Sequence, residues 1–162
     1  MKTKLLQWKF HSAVGPIYLV VSEKGLRGAF WKKQDVPYAK DLSEHPLLKK
    51  TVEELSEYLE GKRKTFSIVL DLQGTAFQKS VWSALLKIPY GETCTYTDIA
   101  RKIKNIKAVR AVGAANGKNP ISIIIPCHRV IGRNGTLTGY AGGLKVKELS
   151  LIHISEPTRP LY

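Results

Sequence analysis

A chain of 162 residues with 43% hydrophobic side chains can build one ordinary domain or two small ones, and no apolar run approaches the roughly 20 residues of a membrane span. The N-terminus, MKTKLLQWKF, lacks the apolar stretch of a signal peptide, so a soluble cytoplasmic protein with no membrane partner is expected. The net charge of +13 is uneven: the excess is +4 over residues 1–74, +9 over 75–148 and zero over 149–162, and a field of that sign attracts polyanions.

The first third alternates apolar and polar positions in KLLQWKF, PIYLVVS and LRGAFW, separated by Gly15-Pro16 and Lys24-Gly25, which predicts strands joined by tight turns. HPLLKKTVEELSEYLEG then sets Leu48, Val52, Leu55 and Leu59 at helical spacing and stops at Gly61. FSIVLDL, residues 66–72, reads as a further strand. Residues 1–74 are thus expected to form a small α+β support domain with no chemical constellation.

A new unit begins at Gly74-Thr75. Thr75 with Gln78 three residues on is a capping box, and Phe77, Val81, Leu85 and Ile88 supply the apolar face of the helix that follows, ended by Pro89, Tyr90 and Gly91. TYTDIARKI predicts a short helix capped by Thr95 or Thr97, and KAVRAVGAANGKN another; two short helices joined by a tight turn are a helix-turn-helix arrangement. In the second of these, AVGAANG is almost all small. Small side chains, Ala111, Gly113 and Ala114 among them, let a helix backbone approach a neighbouring helix or a nucleic-acid groove; Arg110 and Lys118 at its two ends favour the groove.

ISIIIP, residues 121–126, reads as a buried strand ending at Pro126, followed at once by Cys127 and His128. A free cysteine is commonly a small core residue and a lone histidine a satisfied polar one, but a thiol beside an imidazole is also a nucleophile beside a base. Cys94 and Cys127 are too few for a disulfide framework and lack zinc-site spacing, so reduced thiols, no metal and no cofactor are expected, with Cys94 structural or incidental. Beyond Val130, IGRNGTLTGYAGGL is a glycine-rich loop able to wrap a small ligand.

Taken together, GTAFQKSVWSALLKIPYGETCTY, RAVGAANGKNP, IIPCHRVIG and GYAGGL resemble the O6-alkylguanine-DNA alkyltransferases, with a weaker likeness reaching back through GPIYLVVSEKGL. The resemblance implies an α+β chain with a ribonuclease-H-like N-terminal domain (1–74) and a winged helix-turn-helix C-terminal domain (75–148) that docks on the minor groove of double-stranded DNA as a monomer, with the alkylated base flipped out. It makes Cys127 the irreversible alkyl acceptor and His128 the group that takes its proton through a water. Tyr96 becomes the proton donor to the departing guanine, and Asn119 the organiser of the turn that orients Cys127. Arg110 becomes the finger that fills the vacated stack, and Val130, Tyr140 and Ala141 the pocket around the base.

The last segment departs from the pattern. The family's second half runs on in an amphipathic helix carrying a glutamate that orients the histidine; by spacing it belongs at position 154, where this chain has Ile154. From Leu149 the chain reads LSLIHISEPTRPLY, in which Pro157 and Pro160 forbid a continuous helix and which resembles a translated sequencing adapter. Residues 149–162 are therefore set apart as an atypical tail, and slower transfer with DNA binding retained is expected. Two other readings compete. One is a non-catalytic lesion-binding or winged-helix regulatory protein, which would bind without gaining mass. The other is a cysteine hydrolase, disfavoured because neighbours on an extended strand point to opposite faces.

Overall fold

The computed structural model describes residues 4–132 and 159–160. It resolves into two compact units, one holding the chain up to Gln73 together with Pro120–Ser122, the other holding Gly74–Asn119 and the chain from Ile123 onward.

In the first unit, β1 (Leu6–Ser12), β2 (Gly15–Ser22) and β3 (Gly25–Phe30) form an antiparallel meander in that order, with Leu6 opposite Val21 and Tyr18 opposite Phe30. The helix α1 (Pro46–Leu59) packs on β1 and β2, burying Leu48 and Leu55 against a core that includes Ile17, Leu19, Val21 and Leu26. Its buried face differs from the spacing expected. Thr51, Glu54 and Tyr58 are buried where Val52 and Leu59 are only half-buried. Glu54 turns inward because its carboxylate accepts the backbone N–H (2.8 Å) and the hydroxyl (2.6 Å) of Ser67. Burial works to raise its pKa, yet these bonds and Arg63 hold it below the usual carboxylate value. The helix closes on a Schellman motif, Gly61 at φ 77° with Lys62 N–H donating to Glu57 O at 2.8 Å.

Residues 66–72 do not form the strand expected. Only Leu70 bridges Leu26, through Leu26 N–H to Val69 O and Asp71 N–H to Leu26 O, both 2.8 Å. The segment lies too close to β3 for a side chain at Gly25: a Cβ there would sit 2.6 Å from Val69 O, at a backbone φ of 158°. Gly25→Ala is accordingly expected to cost about 3 kcal/mol or more of folding stability, read as a lowered urea midpoint.

In the second unit, α2 (Ala76–Leu86) opens on the expected capping box: Gln78 N–H donates to Thr75 Oγ1, and Thr75 N–H to Gln78 Oε1, each at 3.0 Å. After Gly91 comes β4 (Glu92–Thr95), then α3 (Tyr96–Lys102), capped by Thr95 rather than Thr97. A 3-10 turn at Ile106–Ala108 leads into α4 (Val109–Gly117). The helices α2, α3 and α4 pack mutually around Val81, Trp82, Leu85, Ile99 and Val112, and the Trp82 indole N–H donates to Ala115 O at 2.9 Å. β5 (Val130–Ile131) pairs in parallel with β4, setting Val130 against Cys94, and on the other side of β4 lies β6 (Arg159–Pro160), also parallel. Of the tail set apart above, residues 149–158, 161 and 162 lie outside the described residues, and Ile154 with them.

Candidate active site

The ISIIIP segment is not the strand its composition suggests. Ile121 alone bridges Ala29; residues 122–124 turn, and Ile123 takes φ 72°, an uncommon backbone for a β-branched side chain. The run of isoleucines encodes burial, since Ile121, Ile123, Ile124 and Ile125 are all buried, and the backbone groups find partners outside a ladder. Asn119, just past α4, donates its side-chain N–H to Ile125 O at 2.8 Å, which reverses the chain into Pro126.

Cys127, His128 and Arg129 then form one 3-10 turn. Cys127 N–H donates to Ile125 O at 2.8 Å and Arg129 N–H to Pro126 O at 3.0 Å; Val130 N–H returns to Cys127 O. Cys127 and His128 therefore do not alternate across the faces of a strand, because neither residue is on one. Cys127 is buried and His128 fully so. Burial pushes the Cys127 thiol up to about 11, against hydrogen bonding from Asn119 and from the backbone of Cys127 and His128. At neutral pH this sulfur is a thiol. It becomes a nucleophile only when a base takes its proton as it reacts.

Tyr96 is the first residue of α3, and its ring carbon Cδ1 lies 4.0 Å from where a Cβ on Gly113 of α4 would stand. The small residues of α4 divide between two faces. Val112, Ala115 and Asn116 turn inward, whereas Arg110, Ala111, Ala114 and Lys118 are exposed. Ala111, Ala114 and Lys118 line a shallow crevice of about 210 Å3 with Thr75, Phe77 and Gln78 from the start of α2. Val130 is fully buried in β5. Tyr140 and Ala141, expected in the pocket, lie outside the described residues.

Arg129 was not singled out by its sequence context. It is 7% exposed, donates to Ile88 O at 2.8 Å and holds its guanidinium 5.6 Å from the centre of the Tyr90 ring. Burial lowers its pKa to about 10, which leaves it charged at neutral pH.

Family models match both units: the 6-O-methylguanine DNA methyltransferase ribonuclease-like domain over residues 5–72 and the DNA binding domain of the same enzymes over residues 76–153. The chain belongs to the 6-O-methylguanine DNA methyltransferase family. A methylated-DNA--protein-cysteine methyltransferase of Methanosarcina acetivorans is 51% identical over 146 residues, covering 88% of this chain and 93% of the relative. The inducible enzyme of Bacillus subtilis is 45% identical over 148 residues, 89% of this chain and 83% of its own. Among solved structures, Mycobacterium tuberculosis OGT in complex with DNA matches at a TM-score of 0.77 and 40% identity over 95% of each chain. The α+β architecture of the methyltransferase family accounts for both the support unit and the helical unit that carries Cys127.

Proposed function

We propose that this chain repairs alkylated DNA directly, moving the alkyl group from O6 of guanine, or from O4 of thymine, onto Cys127 in a single turnover. The observation that carries this reading is the buried Cys127-His128 turn, braced by Asn119 within a helical unit of the DNA-binding family type.

The bonds balance without a cofactor. His128 takes the thiol proton by way of a water; the sulfur attacks the alkyl carbon as the bond from that carbon to O6 breaks; guanine leaves as its developing charge is protonated from Tyr96. The thioether that results has no leaving group a cell ordinarily displaces, so each molecule is consumed. Double-stranded DNA is engaged through the minor groove by a monomer. The outward face of α4 carries the small residues Ala111 and Ala114 that let the helix approach, with Gly113 beside them, and Lys118 adds a charge at the end of the helix. Arg110 fills the place of the flipped nucleotide, an extrusion that costs a few kcal/mol. Val130, Tyr140 and Ala141 wall the base.

The helix-turn-helix corner bears on the same interface. α3 ends in the same Schellman geometry as α1, with Lys104 N–H to Arg101 O at 3.0 Å and Asn105 N–H to Ala100 O at 2.9 Å, but the left-handed position, φ 59°, holds Lys104 where α1 uses glycine. A lysine in that conformation costs about 1 kcal/mol. Lys104→Gly is expected to raise stability by about 0.5–1 kcal/mol and to weaken DNA binding, lowering the salt dependence of affinity by about one charge. A stabilised variant with unaltered affinity and salt slope would show that Lys104 faces away from the phosphates.

The deciding experiment is intact-protein mass spectrometry after mixing the chain with a duplex carrying one O6-methylguanine. A stoichiometric gain of one methylene mass, a methyl in place of the thiol hydrogen, is expected on Cys127, with none from the unmodified duplex. Tight lesion binding with no mass gain would favour a non-catalytic binder. Because Ile154 stands where the orienting glutamate is expected, transfer is expected to be slower than in a chain carrying glutamate there.

A further inference from the structure

The turn that presents Cys127 is three residues long and so cannot hold its own orientation. Its entry is fixed by Asn119 through Ile125 O. Its exit is fixed by Arg129, whose guanidinium reaches to the stretch just after α2, where it donates to Ile88 O at 2.8 Å and lies over the Tyr90 ring at 5.6 Å. The carbonyl end of a helix is the end that favours a cation. Burying a guanidinium is still costly, and an apolar side chain of similar volume would fill the space without that cost. What an arginine adds is direction: a planar fork hydrogen-bonded to one carbonyl and set over an aromatic ring is restricted in orientation, and it transmits that orientation to the turn.

We propose that Arg129 is a positioning residue for alkyl transfer, clamped between the Ile88 carbonyl and the Tyr90 ring so that the turn aims Cys127 at the alkyl carbon. This rests on the function proposed above for Cys127. Arg129 acts through the backbone of the turn and takes no part in the bond changes.

The test uses the full chain with Arg129→Met, Arg129→Lys and Tyr90→Leu, and Trp82→Phe as a control that removes a buried hydrogen bond elsewhere in the same unit. Three quantities are measured on protein verified as folded: the first-order transfer constant at saturating O6-methylguanine duplex, the dissociation constant for that duplex, and the pH dependence of Cys127 alkylation by iodoacetamide. Misaiming a reacting atom by about 1 Å costs about 100-fold. The transfer constant is therefore expected to fall about 10- to 100-fold in Arg129→Met and less in Tyr90→Leu, with duplex affinity within about threefold, and the double variant to lose no more than Arg129→Met alone.

Reactivity with the small reagent is expected to move the other way. A loosened turn admits water to the thiol, so the alkylation midpoint falls from about 11 toward the ordinary thiol value. Slower transfer together with an easier-ionising thiol is a signature that lost stability alone, as in Trp82→Phe, does not produce. An unchanged transfer constant and midpoint in folded Arg129→Met overturns the proposal, as do losses that match those of Trp82→Phe. Should Arg129→Met fail to fold, Arg129→Lys and Tyr90→Leu decide it by the same two readings. If the unaltered chain transfers no methyl group, the proposed function fails and the iodoacetamide midpoints alone judge the role of Arg129.

Discussion

Cys127→Ser is expected to abolish alkyl transfer completely while leaving the fold and DNA binding in place. The thiol already resists ionisation in its buried site, its pKa pushed up to about 11, and a hydroxyl is a far weaker acid and a harder nucleophile toward an sp3 carbon. An imidazole can activate a hydroxyl toward a carbonyl, but toward an sp3 carbon the hard oxygen gains far less than the soft sulfur. Intact mass after incubation with the methylated duplex reads the result directly, and any gain on the serine variant would mean that another atom is the acceptor. The same substitution has a signature in stability. A thiol whose pKa is raised on folding ionises first in the unfolded chain. Its contribution is therefore complete below the unfolded value, near ~8.5, and is lost as the pH climbs toward about 11, at up to ~1.4 kcal/mol per pH unit. Burial, with a smaller push from Asp98, lifts Cys94 further, to about 12. Urea midpoints measured at about pH 8 and about pH 10 are expected to differ less in Cys127→Ser than in the parent, the remaining slope combining Cys94, which acts in the same direction, with Arg129, whose lowered pKa acts against it.

His128→Gln is expected to slow transfer at neutral pH by about 10²- to 10⁴-fold, the range of general-base assistance. Glutamine keeps polarity and approximate size in a fully buried position but cannot accept a proton at ordinary pH. Without its base the reaction depends on the spontaneous thiolate fraction. The residual rate is then expected to climb about tenfold per pH unit until about 11, more steeply than in the parent, where a base removes the proton. Stopped-time quenching of transfer between about pH 6 and pH 10 tests this, and parallel profiles for the two proteins would remove His128 from the proton transfer.

Local signals were the legible ones. The capping box of Thr75 and Gln78 was readable because both partners fall within one turn, and both of its hydrogen bonds form. The meander was readable from alternation and its turns. Two apolar runs misled, each for a physical reason: β-branched composition reports burial, and a strand needs a ladder partner as well. Leu70 meets β3 at a single bridge, and Ile123 turns the chain at φ 72° because Asn119, not a neighbouring strand, takes the Ile125 carbonyl. β4 escaped notice because it is four residues long and mostly polar. At the site, Cys127 and His128 could be read because they are contiguous. The hold of Arg129 on Ile88 could not, because nothing in the order of residues tells which carbonyl a distant guanidinium will find.

The grouping of Pro120–Ser122 with the first unit carries a timing consequence. The Ala29 N–H and C=O on the edge of β3 are satisfied by Pro120 O at 2.8 Å and Ser122 N–H at 3.2 Å, while the neighbouring Leu26 is served by residues 69 and 71. As the chain emerges from a ribosome at roughly 5–20 residues per second, the meander and α1 can assemble early, but this edge of the sheet waits several seconds more for its last partner. During that interval an unpaired strand edge is offered to any other nascent chain. A fragment started at Gly74 would face the converse difficulty, carrying Ile121, fully buried in the whole protein, with no Ala29 to receive it.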